Sequence, residues 1–169
     1  HLYTLLIYNF KMANEEMFIN CNEKFFKYLE NSFGSEMMTP EFLKCDFNTA
    51  YFKTLANGLM KVKPFIIYLH DSNNDNHNIF FMENVCNEIV CEYLIKEDWP
   101  IWPVDLSNKE DKNKFYNVAK ERLEASEIFA YPLPMLMMCT RERLNIITTY
   151  MYTNDPMMNI GQLFDCGGA

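Results

Sequence analysis

No two cysteines of this chain stand in a Cys-x-x-Cys spacing, although it carries six of them: Cys21, Cys45, Cys86, Cys91, Cys139 and Cys166. A dithiol redox centre needs a low-pKa thiolate at a helix N-terminus with a resolving partner close by. The three histidines, His1, His70 and His77, are scattered. No Ser-His-Asp set, metal-ligand cluster or phosphate-binding set shows workable spacing. Basic residues are in the minority, 15 Lys and Arg against 23 Asp and Glu, for a formal charge of −8. That argues against a nucleic-acid footprint, which needs clustered Lys and Arg, and against binding to anionic membranes. The apolar run at residues 2–10 falls short of the roughly 20 residues that span a bilayer, and it lacks the basic flank of a signal peptide. There is no internal repeat and no low-complexity tract. The chain begins at His1 rather than Met, which reads as a piece of something longer.

What is present is a core. Of 169 residues, 49% are hydrophobic, enough for one well-filled domain in the usual range of about 100–200 residues. The cysteines read as reduced and mostly buried, in a cytosolic or nuclear protein. At residues 64–70, Pro-Phe-Ile-Ile-Tyr-Leu-His is continuously apolar. Such a run is the pattern of a strand buried on both faces, and proline is tolerated at its start.

In chain order, residues 14–33 predict an amphipathic helix, with Phe18, Cys21, Phe25 and Leu29 on its apolar face and Gly34 ending it. Residues 35–45 form a connector with a short strand at 41–44. Asp46 caps a helix that carries Phe47 to Leu59 and leaves past Gly58. After the core strand and a polar loop at 71–78, residues 79–95 read as one helix. A second buried strand covers 99–106, with Pro103 suggesting a bulge or edge position. Ser107 and Glu110 form a capping box for a helix to about residue 124. Residues 125–130 are a loop. Pro132 then precedes a third strand at 135–139, and a tight turn leads to a fourth at 144–150. Asp155 and Pro156 start a last helix.

The order after residue 45, α-β-α-β-α-β-β-α, predicts an α/β fold: a mixed, mainly parallel sheet flanked by helices, thioredoxin-like, with an extra N-terminal helix. The expected division is an N-terminal amphipathic helical extension at 1–34 and a thioredoxin-like domain at 35–169. The Tyr131–Pro132 bond, ahead of the third strand, is expected to be cis, with Pro134 as the alternative site if the alignment is off by two.

Ile67-Tyr68-Leu69-His70, the spacing to Ile101-Trp102-Pro103-Val104-Asp105-Leu106, and Tyr131-Pro132 before an apolar strand form an ordered set. So do Phe25, Phe26 and Tyr28 ahead of Gly34, and Pro40-Glu41-Phe42-Leu43. With them the chain resembles, over about residues 20–165, the UAS domain of Fas-associated factor-like UBX-domain proteins. The resemblance implies a non-enzymatic protein-interaction module without a cofactor. Its parent would be an adaptor that links ubiquitylated clients to the valosin-containing AAA ATPase through other domains, in cytoplasm and nucleus. It also implies long-chain unsaturated fatty acid sensing and self-association, with Lys61 and Lys63 as candidate contacts for the acyl carboxylate.

The place of a thioredoxin's redox motif, just after the core strand, holds Asp71 to Phe80 without a cysteine. The alternative reading is a thiol sensor or oxidoreductase with displaced cysteines, Cys86 and Cys91 being the candidates. The candidate partner surface is where the loops converge: His70, Asp71, Asp75, His77 and Pro132. The methionines Met135, Met137, Met138, Met151, Met157 and Met158 suggest core in part and a soft apolar surface in part.

Overall fold

The computed structural model describes residues 2–34, 36–55 and 63–152, and within the first helix the side chains from residue 14 onward as well as that of Leu2. Gly58, Leu59, Lys61, the helix start at Asp155 and Pro156, Met157, Met158 and Cys166 lie outside the described residues. The elements are α1 Leu2–Ser32, α2 Phe47–Lys53, β1 Phe65–His70, α3 His77–Phe80 running into a π turn at Phe81–Val85, and α4 Glu88–Glu97. They continue with β2 Ile101–Asp105, α5 Lys109–Arg122, a 3-10 turn at Ser126–Ala130, β3 Met135–Glu142 and β4 Asn145–Tyr152.

The sheet runs β2-β1-β3-β4, so β1 has a neighbour on each side. All six of its residues are buried, as the apolar run predicts. Because side chains alternate along a strand, β1 feeds two cores. Phe65, Ile67 and Leu69 join Trp102, Val104, Phe115, Met135 and Met137 on the face covered by α2 and α5. Ile66 and Tyr68 join Ile101, Leu136 and Met138 on the face covered by the π turn and α4. Helix α1 serves both, with Phe18 and Cys21 in the first and Phe25 in the second. A line drawn at residue 34 therefore separates segments that share a core. The methionines of β3 and Met151 of β4 are buried, and so are core rather than surface.

The sheet is mixed but not mainly parallel. Only β1 and β2 are parallel, while β1–β3 and β3–β4 are antiparallel. The reason lies in residues 124–134, of which 125–130 read as a loop in sequence. They run back along the sheet after α5 has already crossed it. Thr148 of β4 bonds the carbonyl of Leu123 at one end. Phe129 packs edge-on against Tyr116 midway, with ring centroids 5.4 Å apart. Tyr131 stacks on Tyr152 at the far end, at 4.6 Å. Strand β3 thus starts where β1 finishes, and Met135 lies opposite Leu69.

The expected short strand at 41–44 is a single parallel bridge, Phe42 to Ile101, on the outer edge of β2. Leu43 N–H donates to the Ile101 carbonyl at 2.8 Å, and Ile101 N–H to the Glu41 carbonyl at 2.9 Å. Both polar groups of Ile101 face outward, so by alternation those of Pro103 do too. The missing N–H of Pro103 therefore falls on the edge, where the ladder with β1 does not need it.

Local corrections follow from side-chain chemistry. Helix α1 starts earlier than residue 14, and Gly34 is not left-handed. The stretch 79–95 is broken, because the Asn87 side chain accepts from Ile89 N–H at 3.0 Å and Val90 N–H at 3.4 Å and starts α4 anew. Asn108, not Ser107, caps α5, accepting from Asp111 N–H at 3.0 Å. Ser107 is engaged elsewhere, its N–H bound to Asp105 Oδ1 at 3.0 Å and its hydroxyl accepting from Lys24 Nζ. The cis bond is Leu133–Pro134, not Tyr131–Pro132. Asp46 caps α2 as expected, with Thr49 N–H at 2.7 Å from Oδ1.

Candidate partner surface at the end of the sheet

The loop 71–76 leaves the C-terminal end of β1 as a series of Asx turns, in which a short polar side chain bonds the backbone two residues on. Asp71 Oδ1 accepts from Asn73 N–H at 3.0 Å, and Asn74 Oδ1 from Asn76 N–H at 2.8 Å. Two amide side chains then tie the loop to its neighbours. Asn73 Nδ2 donates to the Ser107 carbonyl at 3.1 Å, and Asn74 Nδ2 to the Leu133 carbonyl at 3.0 Å. The loop after β1, the link between β2 and α5, and the turn before β3 therefore converge. Asp75 and Pro132 are exposed there, and Asp71 and His77 are half-buried.

His70 does not belong to that surface. It has no exposed area. Its ring lies 4.1 Å from that of Tyr28 and 5.0 Å from that of His77, between centroids. Nδ1 shares a hydrogen bond with the Tyr68 hydroxyl at 2.7 Å, and Nε2 has no partner. Burial pushes its pKa down to about 4, against the opposing pull of the Asp105 carboxylate. His70 is thus a neutral core ring near pH 7 that anchors α1 and α3 to the strand end. His77 is held through Nδ1 against the Asn74 carbonyl.

Of the two cationic contacts expected at the helix exit, only Lys63 is among the described residues. Lys61 lies outside the described residues, and Lys63 Nζ is paired with Asp98 Oδ2 at 2.6 Å. An open groove of about 630 Å³ lies elsewhere, lined by Phe26, Leu29, Phe33 and Met37, with Glu30 and Lys44 also at its walls. Sequence reasoning missed it. Its signal was the second stripe on α1, Phe26, Leu29 and Phe33 at spacings of three and four, beside the stripe that fills the core.

The thiols are poor nucleophiles. Burial pushes Cys21, Cys86 and Cys139 up to about 12 and raises Cys45 and Cys91 as well. All five are free. Cys86 sits at the break before α4 rather than inside a helix. Among the described residues, no group of three or more His, Cys, Asp or Glu could hold a metal ion, and no helix is long and apolar enough to cross a membrane.

The structural residue that sequence reasoning overlooked is Asn22. It is buried, and its amide bridges the outer edge of β2. Nδ2 donates to the carbonyls of Leu43 at 2.9 Å and Pro103 at 2.8 Å, while Oδ1 accepts from Cys45 N–H at 3.1 Å. A family model described as Fas-associated factor 1 matches residues 25–163. The chain belongs to the Fas-associated factor 1 family. No curated protein matches it at a significant level. In this family member the match runs from within α1, three residues past Asn22, through all four strands.

Proposed function

We propose that this Fas-associated factor 1 family chain is a non-enzymatic protein-interaction module of a UBX-type adaptor, the UAS domain of a parent that brings ubiquitylated clients to the valosin-containing AAA ATPase in cytoplasm and nucleus. The family match supports the adaptor role. The observation that carries the choice of surface is the convergence of three loops around Asn73 and Asn74, which presents Asp71, Asp75 and Pro132 on a rigid frame. Binding residues characteristically sit on loops held by such a scaffold. The thiol reading is the weaker one, because a thiol with a pKa near 12 is almost wholly protonated at neutral pH.

The test uses the full-length parent protein. Reversing charge at both Asp71 and Asp75 with Lys is expected to reduce recovery of ubiquitylated clients with the ATPase complex. Unchanged recovery would remove this surface from the function. We extend the proposal to long-chain unsaturated fatty acid binding with self-association. The groove of Phe26, Leu29, Phe33 and Met37 supplies an apolar wall for an acyl chain, and Lys44 supplies the cation.

A further inference from the structure

The hairpin of β3 and β4 is longer than the sheet that carries it. Strand β1 pairs with β3 only from Met135 to Cys139, whereas β3 and β4 stay paired out to Glu142 and Asn145. Residues 140–147 therefore stand clear of β1 as a two-stranded ribbon. Its base is tied down. Arg141 donates from Nη2 to the Tyr51 hydroxyl at 3.0 Å and from Nε to the Leu55 carbonyl at 3.4 Å, and Ile146 N–H donates to Glu124 Oε2 at 3.1 Å. At its tip, Arg143 takes a left-handed backbone with φ 56°, and Leu144 is 91% exposed. Glu142 and Arg143 are exposed too, and neither joins an ion pair among the described residues.

The groove beside α1 has the opposite relief and a matching pair of charges. Its apolar wall is Phe26, Leu29, Phe33 and Met37, with Glu30 and Lys44 also lining it. Both charged side chains are exposed and outside any ion pair among the described residues, Lys44 lying only over the Phe26 ring at 5.6 Å. The groove borders the segment that runs along the outer edge of β2, and the ribbon belongs to β3 and β4, on the other side of β1. With the sheet between them, a tip cannot reach the groove of its own copy.

We propose that the hairpin tip of one copy seats in the groove of the next, with Leu144 against the apolar wall, Arg143 against Glu30 and Glu142 against Lys44, so that copies join head to tail. An exposed leucine alone means little. Here a knob, a socket and two complementary pairs of charge sit on one chain, and none of the four charges finds an opposite among the described residues. The apolar contact supplies the adhesion, while exposed ion pairs add little strength but set register and orientation. Because the base of the ribbon is already tied, little freedom is lost when the tip docks. A contact between two different patches does not close as a two-fold dimer does, so it propagates into rings or open chains. The inference rests on the self-association in the proposed function and gives it an interface. The groove is larger than one leucine side chain, so an acyl chain along the same wall adds to the seat.

The test is sedimentation velocity of the lipid-free chain over a rising concentration series. Every substituted residue is exposed, so the fold is expected to stand. Wild type is expected to grow past the dimer with concentration, and Leu144→Asp to stay monomeric. Arg143→Glu and Glu30→Arg each bring like charges together and should assemble several-fold less. An equimolar mixture of those two proteins should regain the wild-type distribution, since each tip then meets a groove of opposite charge. Assembly that Leu144→Asp leaves unchanged overturns the proposal. So does a mixture that assembles no better than its parts, or a wild type that stays monomeric into the millimolar range. Lipid is absent throughout, so failure here leaves the oleate response standing, and loss of the oleate response leaves the mixing result standing.

Discussion

Replacing Asn22 with leucine tests whether one side chain holds the outer edge of the sheet. Leucine has nearly the same size and suits a helix. It removes two donors and one acceptor from a buried site, and so strands the carbonyls of Leu43 and Pro103 and the N–H of Cys45. Each hydrogen bond contributes roughly 1 kcal/mol net, and each buried group left without a partner costs about 1–3 kcal/mol. Three such groups put the loss at roughly 3–9 kcal/mol, the lower end applying at this outer edge of the sheet, where the stranded groups lie near solvent. Burying the added methyl groups returns on the order of 1 kcal/mol. A net destabilisation of about 3 kcal/mol is expected, or a fall in Tm of roughly 6–12 °C for a domain of this size. Equilibrium urea unfolding followed by tryptophan emission suits the purpose. Trp102 is fully buried and donates through Nε1 to the Cys45 carbonyl at 2.9 Å, inside the same junction. The midpoint should fall at an unchanged slope. A loss below about 1 kcal/mol would refute the reasoning, because the Phe42 bridge and the Trp102–Cys45 bond would then suffice to hold the segment 42–45 to β2 without the Asn22 amide.

Two further outcomes follow from the same geometry. His70 has its pKa lowered to about 4 in the fold, whereas the unfolded chain protonates it near 6.5. Its contribution is therefore complete above about 6.5 and is lost as pH falls towards 4, up to about 3 kcal/mol in all. Relative to wild type, His70→Gln should flatten the fall in Tm across that window, and parallel profiles would dismiss the assignment. For the groove on α1, adding oleate should produce larger assemblies by light scattering, and Lys44→Glu should suppress them. Equal growth in both proteins would detach the groove from lipid.

The parts of this fold that were legible in sequence are those fixed by local pattern. The run at 64–70 has no polar residue until its end, so its burial on both faces could be read directly. The cap at Asp46 and the apolar face of α1 were equally plain. What stayed hidden depended on contacts distant in the chain. Nothing within residues 124–134 announces that they run back along the sheet, and the direction of β3 turns on that. The apolar stripe from Phe80 to Leu94 keeps a helical rhythm across Asn87, so the break is visible only once the Asn87 side chain is seen bonding Ile89 and Val90. Tyr-Pro-Leu-Pro offers two bonds to proline, and no local signal separates Tyr131–Pro132 from Leu133–Pro134. At the candidate surface, the loop was legible by its polarity. The burial of His70 was not, because the rings that enclose it, Tyr28 and His77, come from other elements.

Asn22 also bears on where this unit of folding begins. The family match opens at residue 25. A fragment cut there would keep Phe25 and lose Phe18, Cys21 and Asn22. Phe18 meets Trp102 edge-on at 6.4 Å and Phe115 at 5.8 Å, so its removal would open a void beside both rings. Recognisable kinship and mechanical integrity thus have different borders in this chain. The border of kinship falls in the middle of α1, and the one that matters for a soluble fragment lies at least two helical turns earlier.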